Sequence, residues 1–519
     1  MRRNALLLTA ILMGAAAGPT QAKPDAPGLM EATIQGTHAQ FAAGSLTCHQ
    51  LVEFYLDRIH AYDQKGAAID AMLYVNPEVL KEADRLDAAH KAGSQLPPLW
   101  CVPMVLKDNY DTQDMPTTGG SKSLQGARPA KDATVVARLR KAGALMLGKT
   151  NLSEFALTGV TRSSLGGQTK NPYDLTRTPG GSSGGTGAAL AANFALAGTG
   201  SDTVNSVRSP ASANSVVGLR ATNGLISRAG IIPVSATQDS AGPLARTVSD
   251  VAILLQTMAG YDPDDPKTGL AAGHVAPSYV SALKPDGLKN LRVGVLKTLF
   301  GTEEKNQPVN KVMAHAIDIM KQRGAVVTEV ENPAFFTDKL GKTDDVQKFE
   351  YQQLLDGYLE GQGGHAPVHT LQAVLASGGY DKQTLQSFLT DAEKHSTNEP
   401  EYWKRITHIR DLRIELANFM AKNKLDVLVF PEQRELVSEI STLNQPARNG
   451  HLAALTGFPE ITLPAGFSDP TQTAPLGVPV GLSILGRPWS ESMLLHAAYS
   501  FEQATHARKP PSSTPVLSE

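Results

Sequence analysis

The sequence predicts an α/β fold, in which helices alternate with the strands of a sheet. Residues 99–107 (LWCVPMVLK) and 144–147 are short apolar runs, which predict buried strands. Between them, residues 132–143 place apolar side chains at helical spacing and end in a glycine. With 519 residues, of which 41% are hydrophobic and 19% charged, the chain can build a large core.

The same alternation is predicted from the N-terminal part onward. Ser45 can cap a helix with apolar residues over 51–62. Pro77 suits the first turn of a second helix that ends near Gly93, and residues 151–154 resemble a capping box. Further along, the pattern predicts a helix led by Ser249 and Asp250, a connector over 261–290, a strand over 291–296, a helix over 309–324, and strands over 325–330, 425–430 and 478–485.

Residues 335–420 differ from the rest, because their pattern is long, polar and helical and holds no Gly-rich segment. We expect this block to be an insertion that covers a site. Together with the loop after Phe430 and Pro431, it is predicted to shape the pocket for a substrate.

The N-terminal sequence MRRNALLLTAILMGAAAGPTQA has the composition of a secretory signal peptide. Arg2 and Arg3 precede the apolar run 5–17, and small residues lead to a predicted cleavage site after Ala22. A membrane anchor is the alternative, but the run is short for a bilayer. The prediction is a signal peptide over 1–22 and an exported domain over 23–519, soluble in the periplasm or outside the cell.

Charge and cysteine content narrow the classes of partner. The net charge is −2 and no Lys/Arg run occurs, so nucleic acid is not an expected partner. Cys48 and Cys101 both lie in apolar segments. We expect two buried thiols rather than a disulfide, although an oxidising compartment would permit one.

The stretch over residues 178–209 is rich in Gly, Ser and Ala and carries the hydroxyls of Ser182, Ser183 and Ser206. Its glycines suit a backbone that bends sharply and approaches another group closely. A flexible linker is the alternative, but the Ala-rich run 187–197 predicts a packed helix. A helix starting near Gly185 would direct free N–H groups toward the paired serines.

No histidine lies between His90 and His274, so a Ser–His–Asp triad would need His451 or His496. The residues between His90 and His274 contain no HExxH motif and no Cys pair. They do include Lys107 at the end of a predicted buried strand. A desolvated lysine has a lowered pKa, and its neutral amine can take a proton from a serine; a lone strand-end lysine is otherwise a solvated charge.

Three short motif matches are not supported by their context. Residues 143–150 fit the P-loop pattern, but their middle residues predict a strand. Residues 181–185 fit G-x-S-x-G, but no strand is predicted before them. Residues 281–284 fit S-x-x-K within the turn-rich connector, and the Lys-Thr-Gly triplet at 267–269 precedes that motif instead of following it.

Together these segments resemble the amidase signature family. The resemblance covers about residues 40–508 and includes LWCVPMVLKDNYDT, LGKTNLSEFA, KNPYDLTRTPGGSSGGTGAALAA, GSDTVNSVRSPAS, QDSAGPLARTVSD and LTGFPEITLPAGF, in the family's order. It implies one large α/β/α domain around a twisted mixed sheet.

The resemblance also implies a Ser–Ser–Lys triad. Ser206 would be the nucleophile, Ser182 a bridging serine that follows a cis peptide bond, and Lys107 the base. The remaining implied roles are an oxyanion hole formed by the backbone N–H groups of Thr203, Val204, Asn205 and Ser206, and supporting positions at Ser183, Asp202 and Arg208. No metal or organic cofactor is implied.

One departure stands beside the nucleophile. The family commonly has Gly-Gly there, whereas this chain has Val204 and Asn205. Both keep an N–H, but a valine does not tolerate positive φ. We therefore expect negative φ at Val204 and a narrower site, which disfavours bulky groups near the reacting carbonyl.

The predicted function is an exported serine amidase that hydrolyses a small-molecule amide to an acid and ammonia or an amine, as a monomer or homodimer and without a membrane contact after signal cleavage. The alternatives are an ammonia-transferring component of a transamidation complex, an ester or carbamate hydrolase, and an inactive binding protein. The signal peptide disfavours the transamidation component, and the presence of Lys107, Ser182 and Ser206 disfavours the inactive protein.

Overall fold

The computed structural model describes residues 26–90 and 95–517, which fold around a sheet of 11 strands. The predicted signal peptide over 1–22 lies outside the described residues. The strands are β1 (Met72–Val75), β2 (Pro103–Lys107), β3 (Leu145–Thr150), β4 (Arg162–Ser163), β5 (Gly167–Gln168), β6 (Ala197–Asp202), β7 (Val217–Arg220), β8 (Ser240–Ala245), β9 (Arg292–Leu296), β10 (Val326–Val330), β11 (Val427–Pro431), β12 (Glu460–Phe467) and β13 (Pro479–Leu485).

The helices lie before, between and after these strands. They are α1 (Ala26–Leu29), α2 (Ile34–Ala42), α3 (Cys48–Tyr62), α4 (Val79–Ala89), α5 (Thr134–Lys141), α6 (Gly184–Ala191), α7 (Arg208–Ala213), α8 (Val248–Met258), α9 (Gln307–Gln322), α10 (Thr337–Thr343), α11 (Gln347–Gln362), α12 (Leu371–Ser377), α13 (Lys382–Ala392), α14 (Pro400–Lys422), α15 (His451–Thr456) and α16 (Glu491–Thr505).

The large sheet is mixed, and its strand order is β1-β3-β2-β6-β8-β7-β12-β13-β11-β9-β10. Strands β3, β2 and β6 run parallel at one side, as do β11, β9 and β10 at the other. The central strands are antiparallel, and β4 with β5 forms a separate hairpin. The predicted mixed α/β architecture, a large sheet surrounded by helices, is confirmed.

Some local expectations were wrong. Thr47, not Ser45, caps α3, because its side chain accepts from Gln50 N while Gln50 Oε1 accepts from Thr47 N. The Ala-rich helix begins at Gly184 and ends at Ala191, earlier than residue 197, because Asn193 leaves helical geometry with φ 56°. Residues 151–154 form no capping box, because Asn151 Oδ1 accepts from Leu152 N and Ser163 Oγ instead of from Glu154 N.

The block over 335–420 is helical, and it packs against the rest of the molecule through its own apolar clusters. Helices α11, α12 and α13 share a core with Phe155 and Ile232, which lie near the carboxyl edge of the sheet. Polar contacts add to this packing. Tyr358 Oη and Gln362 Nε2 donate to the two carboxylate oxygens of Asp111, at 2.6 and 3.0 Å. The block is therefore anchored to the segment that follows β2.

Cys48 and Cys101 form a disulfide, so the expectation of two free thiols was wrong. Both residues are fully buried, as expected. They are 53 positions apart in sequence, but the fold brings the start of α3 against the turn before β2 and sets the two Cα atoms 5.7 Å apart. This separation lies within the range that a disulfide spans. The bridge thus braces the strand that carries Lys107.

We expect the double variant Cys48→Ala/Cys101→Ala to lose about 2–4 kcal/mol of unfolding free energy, because the bridge closes a long loop in the unfolded chain. Urea unfolding of the oxidised parent and the variant measures the loss. Alkylation of the unfolded parent without reductant should leave its mass unchanged. Uptake of two alkyl groups in that control would contradict the pairing.

Candidate active site

The carboxyl ends of β2 and β6 define one edge of the sheet, and Lys107 lies there. It is the last residue of β2, which runs parallel to β6. Met104 pairs with Ala197, and Val105 pairs with Gly198. Because parallel neighbours end at the same edge, the loop that leaves β6 begins beside Lys107.

The Lys107 amine lies in a fully buried cluster of hydroxyls. Its Nζ is 2.7 Å from Ser182 Oγ and 2.8 Å from Ser201 Oγ. Asn109 Nδ2 donates to the same Ser201 hydroxyl at 2.9 Å. Burial lowers the pKa of Lys107 to about 7, although the Asp202 and Asp239 carboxylates act in the opposite direction. A large fraction of the amine is therefore neutral near pH 7 and able to accept a proton.

The loop that carries Ser182 needs unusual backbone geometry, and its glycines supply it. Gly180 has φ 70°, and the bond between Gly181 and Ser182 is cis, as the family resemblance implied. At the start of α6, a Cβ on Gly185 would lie 2.1 Å from the carbonyl oxygen of Asn151. Because only glycine permits that approach, α6 can pack directly behind Ser182 and Ser183.

Ser206 lies in the turn between β6 and α7, next to the Ser182–Ser183 loop. Ser183 N donates to the Ser206 carbonyl at 3.2 Å, and Ser183 Oγ donates to Ser201 O at 3.3 Å. Ser206 is 5% exposed, while Ser182 and Ser183 are fully buried. Over the part of the chain described, no hydrogen bond joins Ser206 Oγ to Ser182 Oγ, so the direct link present here is the one from Lys107 to Ser182.

The loop over residues 203–206 presents backbone donors. Within residues 26–90 and 95–517, the N–H groups of Val204, Asn205 and Ser206 have no hydrogen-bond acceptor. None of the residues in this 203–206 loop has a positive φ, which confirms the expectation for Val204. Free backbone N–H groups beside a serine are candidate donors to an oxyanion.

A buried network of ions supports the 203–206 loop from behind. Arg208 binds Asp202 at 3.0 Å and Glu460 at 2.7 Å, and Arg220 binds Asp202 at 2.9 Å. Val207 N also donates to Asp202. Burial alone would raise the pKa of the Asp202 carboxyl, but the two guanidinium groups hold it below its ordinary value. Arg208 further donates to the Val204 carbonyl.

The side chain of Asn205 is bound at both ends. Its Nδ2 donates to Glu432 Oε1 at 2.9 Å, and its Oδ1 accepts from Arg448 Nη1 at 3.0 Å. Asn205 is fully buried. The polar side chain that replaces the family's glycine is thus accommodated by matched partners.

A cavity of about 210 Å³ opens beside this edge of the sheet. Its walls include Ser201, Thr203 and an apolar group made of Ile231, Ile232, Val234 and Leu354. Leu354 belongs to α11, so the helical block contributes to the wall. Asp239 also lines the cavity and accepts from Thr203 Oγ1 at 2.7 Å. The cavity thus combines an apolar wall with Ser201, whose hydroxyl contacts the Lys107 amine.

A profile described as Amidase matches residues 50–495 of the chain. The chain belongs to the amidase family. It is therefore an enzyme that acts on amide C–N bonds. The family resemblance drawn from the sequence is confirmed over most of the chain.

Several members of the amidase family are similar along almost their whole length. The peptide amidase of Stenotrophomonas maltophilia has 36% identity and a TM-score of 0.85, over 93% of this chain and 99% of that one. The A subunit of the glutamyl-tRNA(Gln) amidotransferase from Synechococcus sp. (strain JA-2-3B'a(2-13)) is 34% identical over 94% of this chain and 95% of its own. A protein named probable amidase from Arabidopsis thaliana is 34% identical over 93% and 92%.

In this amidase, the P-loop-like segment and the two histidines considered for a Ser–His–Asp triad make other contacts. Lys149 of the P-loop-like segment lies on β3 and forms a buried ion pair with Asp108 at 3.0 Å. His451 contacts Thr337, at 3.2 Å, and His496 contacts Asp286, at 3.1 Å. In the described residues, neither histidine hydrogen-bonds to a serine of the 178–209 stretch.

Sequence reasoning did not single out several residues of the site. Ser201 contacts the Lys107 amine and accepts from Asn109 Nδ2. Arg220 and Glu460 complete the ion network behind the loop. Ser201 lies within the Gly/Ser stretch and Asn109 lies two positions after the lysine, so proximity in sequence could have found both. Arg220 and Glu460 lie in distant strands, and no local pattern pairs either of them with Asp202.

Metal-binding clusters and membrane-spanning helices are both absent from the described residues. Over 26–90 and 95–517, no three His, Cys, Asp or Glu side chains are grouped so that they could hold a metal ion. In the same residues, no helix combines the length and the apolar character needed to cross a bilayer.

Proposed function

We propose that the protein is a serine amidase that hydrolyses a carboxylic amide through an acyl-enzyme on Ser206. The observation that supports this most is the contact between the fully buried Lys107 amine and Ser182 Oγ, at the edge where Ser206 and free N–H groups meet. A buried neutral amine can accept the proton of a neighbouring serine and thereby activate a nucleophile.

The proposed first step forms the acyl-enzyme. Neutral Lys107 Nζ accepts the Ser182 hydroxyl proton, and Ser182 Oγ accepts the proton of Ser206 as Ser206 Oγ bonds to the amide carbon. The carbonyl π pair moves to oxygen, where the N–H groups of the 203–206 loop stabilise the negative charge. Collapse of this intermediate breaks the C–N bond, and the leaving nitrogen takes a proton back through Ser182.

In the second step, water attacks the ester carbon of the acyl-enzyme. The same relay removes the proton of the water, and the Ser206–carbon bond breaks as Ser206 regains a proton. The products are a carboxylic acid and ammonia or an amine. Protons and charges balance at every step with the amide and water as the only reactants, so the chain's own residues suffice for this mechanism.

The cavity walled by Ile232, Val234 and Leu354 is proposed to hold the acyl group. This assigns a pocket-shaping role to the helical block over 335–420. The half-buried Val204 side chain lies where the family commonly has a glycine, so the proposed substrates have a slender group beside the carbonyl.

We also propose that the protein is exported, with a signal peptide over 1–22. The support comes from the N-terminal sequence and from the Cys48–Cys101 bridge, since structural disulfides persist in oxidising compartments. The transamidation alternative has the support of the relatives named as amidotransferase subunits. Glutaminase activity that appears only with added partner proteins would favour it over an amidase acting alone.

The nucleophile is tested by brief treatment of the mature chain with a fluorophosphonate, followed by mass mapping of the adduct. We expect one adduct on Ser206, together with ammonia release from simple primary amides by the same preparation. Ser281→Ala is the matched control, because this exposed serine belongs to the S-x-x-K match and its removal should not change labelling. An adduct on another serine would contradict the mechanism.

A further inference from the structure

We propose that Glu432 and Arg448 are positioning residues that clamp the Asn205 side chain and thereby hold the backbone donors of the 203–206 loop. This inference rests on the proposed function and extends it to residues that do not touch the reacting atoms. It addresses a feature particular to this chain, the asparagine that directly precedes the nucleophile.

The first observation in support is that both the amide nitrogen and the amide oxygen of the Asn205 side chain are hydrogen-bonded. Asn205 has one donor group bound to Glu432 and one acceptor bound to Arg448, at 2.9 and 3.0 Å, and none of its surface is exposed. Rotation of the adjoining peptide would break both bonds and leave buried polar groups unpaired, which is costly. A glycine at this position would have no side chain to restrain.

The second support is that the two clamping residues are fixed relative to each other. They lie on adjoining segments joined by backbone hydrogen bonds, from Asn449 N to Glu432 O at 2.8 Å and from Arg434 N to Ala447 O at 2.8 Å. Thr337 Oγ1, at the start of α10, donates to the Arg448 carbonyl at 3.1 Å. The clamp is therefore a rigid pair rather than two independent side chains.

The third support is close packing against the loop. A Cβ on Gly450 would lie 2.3 Å from Val204 O and 2.4 Å from Asn205 Cβ. The clamping segment thus contacts the backbone of the loop as well as the Asn205 side chain. Displacement of this segment would be transmitted to the N–H groups that face the reacting carbonyl.

The protonation state of Glu432 predicts which substitution keeps the hydrogen bond to the Asn205 side chain. Burial raises the pKa of Glu432 to about 8, with Glu460 adding to the rise and with Arg208, Arg448 and the Asn205 bond opposing it. The carboxyl is mostly neutral at pH 7. Gln at this position would present a similar neutral acceptor to Asn205 Nδ2, whereas Leu would present none.

The test compares rates of Ser206 modification by a fluorophosphonate in the full mature chain, so no substrate need be known. We expect Glu432→Leu and Arg448→Met each to slow labelling by about 10–100-fold, since small misplacement of reacting groups has effects of this size. Glu432→Gln should stay within about threefold of the parent, because the acceptor is retained.

A double-mutant cycle separates the clamp from general damage. In an Asn205→Gly background, Glu432→Leu should change labelling by no more than about threefold, because the side chain that it restrains is gone. An equal slowing in both backgrounds would overturn the inference, as would parental rates in Glu432→Leu and Arg448→Met. Absence of any Ser206 adduct in the parent would instead refute the proposed function.

Discussion

Replacement of Lys107 by Met is expected to lower the rate of Ser206 acylation by about 10⁴–10⁶-fold, the range seen when the base of a serine-nucleophile site is removed. Met fills a similar apolar volume but cannot accept the Ser182 proton. Stopped-flow labelling with a fluorophosphonate, alongside amide hydrolysis, measures the loss. Lys284→Met is the matched control, because that lysine is exposed in the connector and outside the site.

The pH dependence of the parent checks that this loss comes from base chemistry. Only the neutral amine accepts a proton, and the pKa of Lys107 is lowered to about 7 by burial. The acylation rate should therefore rise with pH through about 7, and at pH 5 only about 1% of the amine is neutral. A rate independent of pH between 5 and 9, in a chain that stays folded, would exclude Lys107 as the base.

The proximity of Lys107 to the Gly/Ser stretch could be predicted in part, because both lie in segments with a recognisable local pattern. The Gly-rich backbone around Ser182 and the buried run ending in Lys107 are visible as composition and periodicity. Parallel pairing of β2 and β6 then brings their ends together, which is the usual consequence of an α/β pattern. The roles of Lys107, Ser182 and Ser206 came only from the resemblance to the amidase signature family, and they stay a prediction.

Other features could not be predicted, because they depend on distances through space. Cys48 and Cys101 were expected to be free thiols, since nothing in their 53-residue separation indicates that the Cα atoms meet. Glu432 and Arg448 lie 227 and 243 positions from Asn205 and have no motif of their own. The end of α6 at Ala191 also depends on a contact between distant residues, because Asn193 turns the chain while its side chain binds Glu31.

The second large effect is predicted for the stability of the fold, and it comes from the ion network behind the 203–206 loop. Asp202→Ala is expected to lower the free energy of unfolding by about 3–5 kcal/mol, because removing one partner of a buried ion pair leaves the other charge uncompensated. Arg220 would lose its carboxylate and Arg208 would keep only Glu460. Urea unfolding at pH 7 measures the change.

Asp469→Ala is the matched control, because this aspartate pairs with Lys311 while remaining 79% exposed. Exposed pairs contribute about 0–1 kcal/mol, so this variant should unfold close to the parent. The pH dependence has a definite sign. Since the folded-state pKa of Asp202 is depressed, its contribution is fully present above the ordinary Asp pKa and is lost only as pH falls below it.

The contribution of the Asp202 carboxylate itself should accordingly persist down to the ordinary Asp pKa and shrink only under stronger acid. A difference under about 1 kcal/mol at pH 7 would mean that the network behaves like an exposed pair. Because Asp202 also accepts from Val207 N, directly after Ser206, its loss should slow acylation in the molecules that remain folded. The carboxylate thus links the stability of the sheet edge to the placement of Ser206.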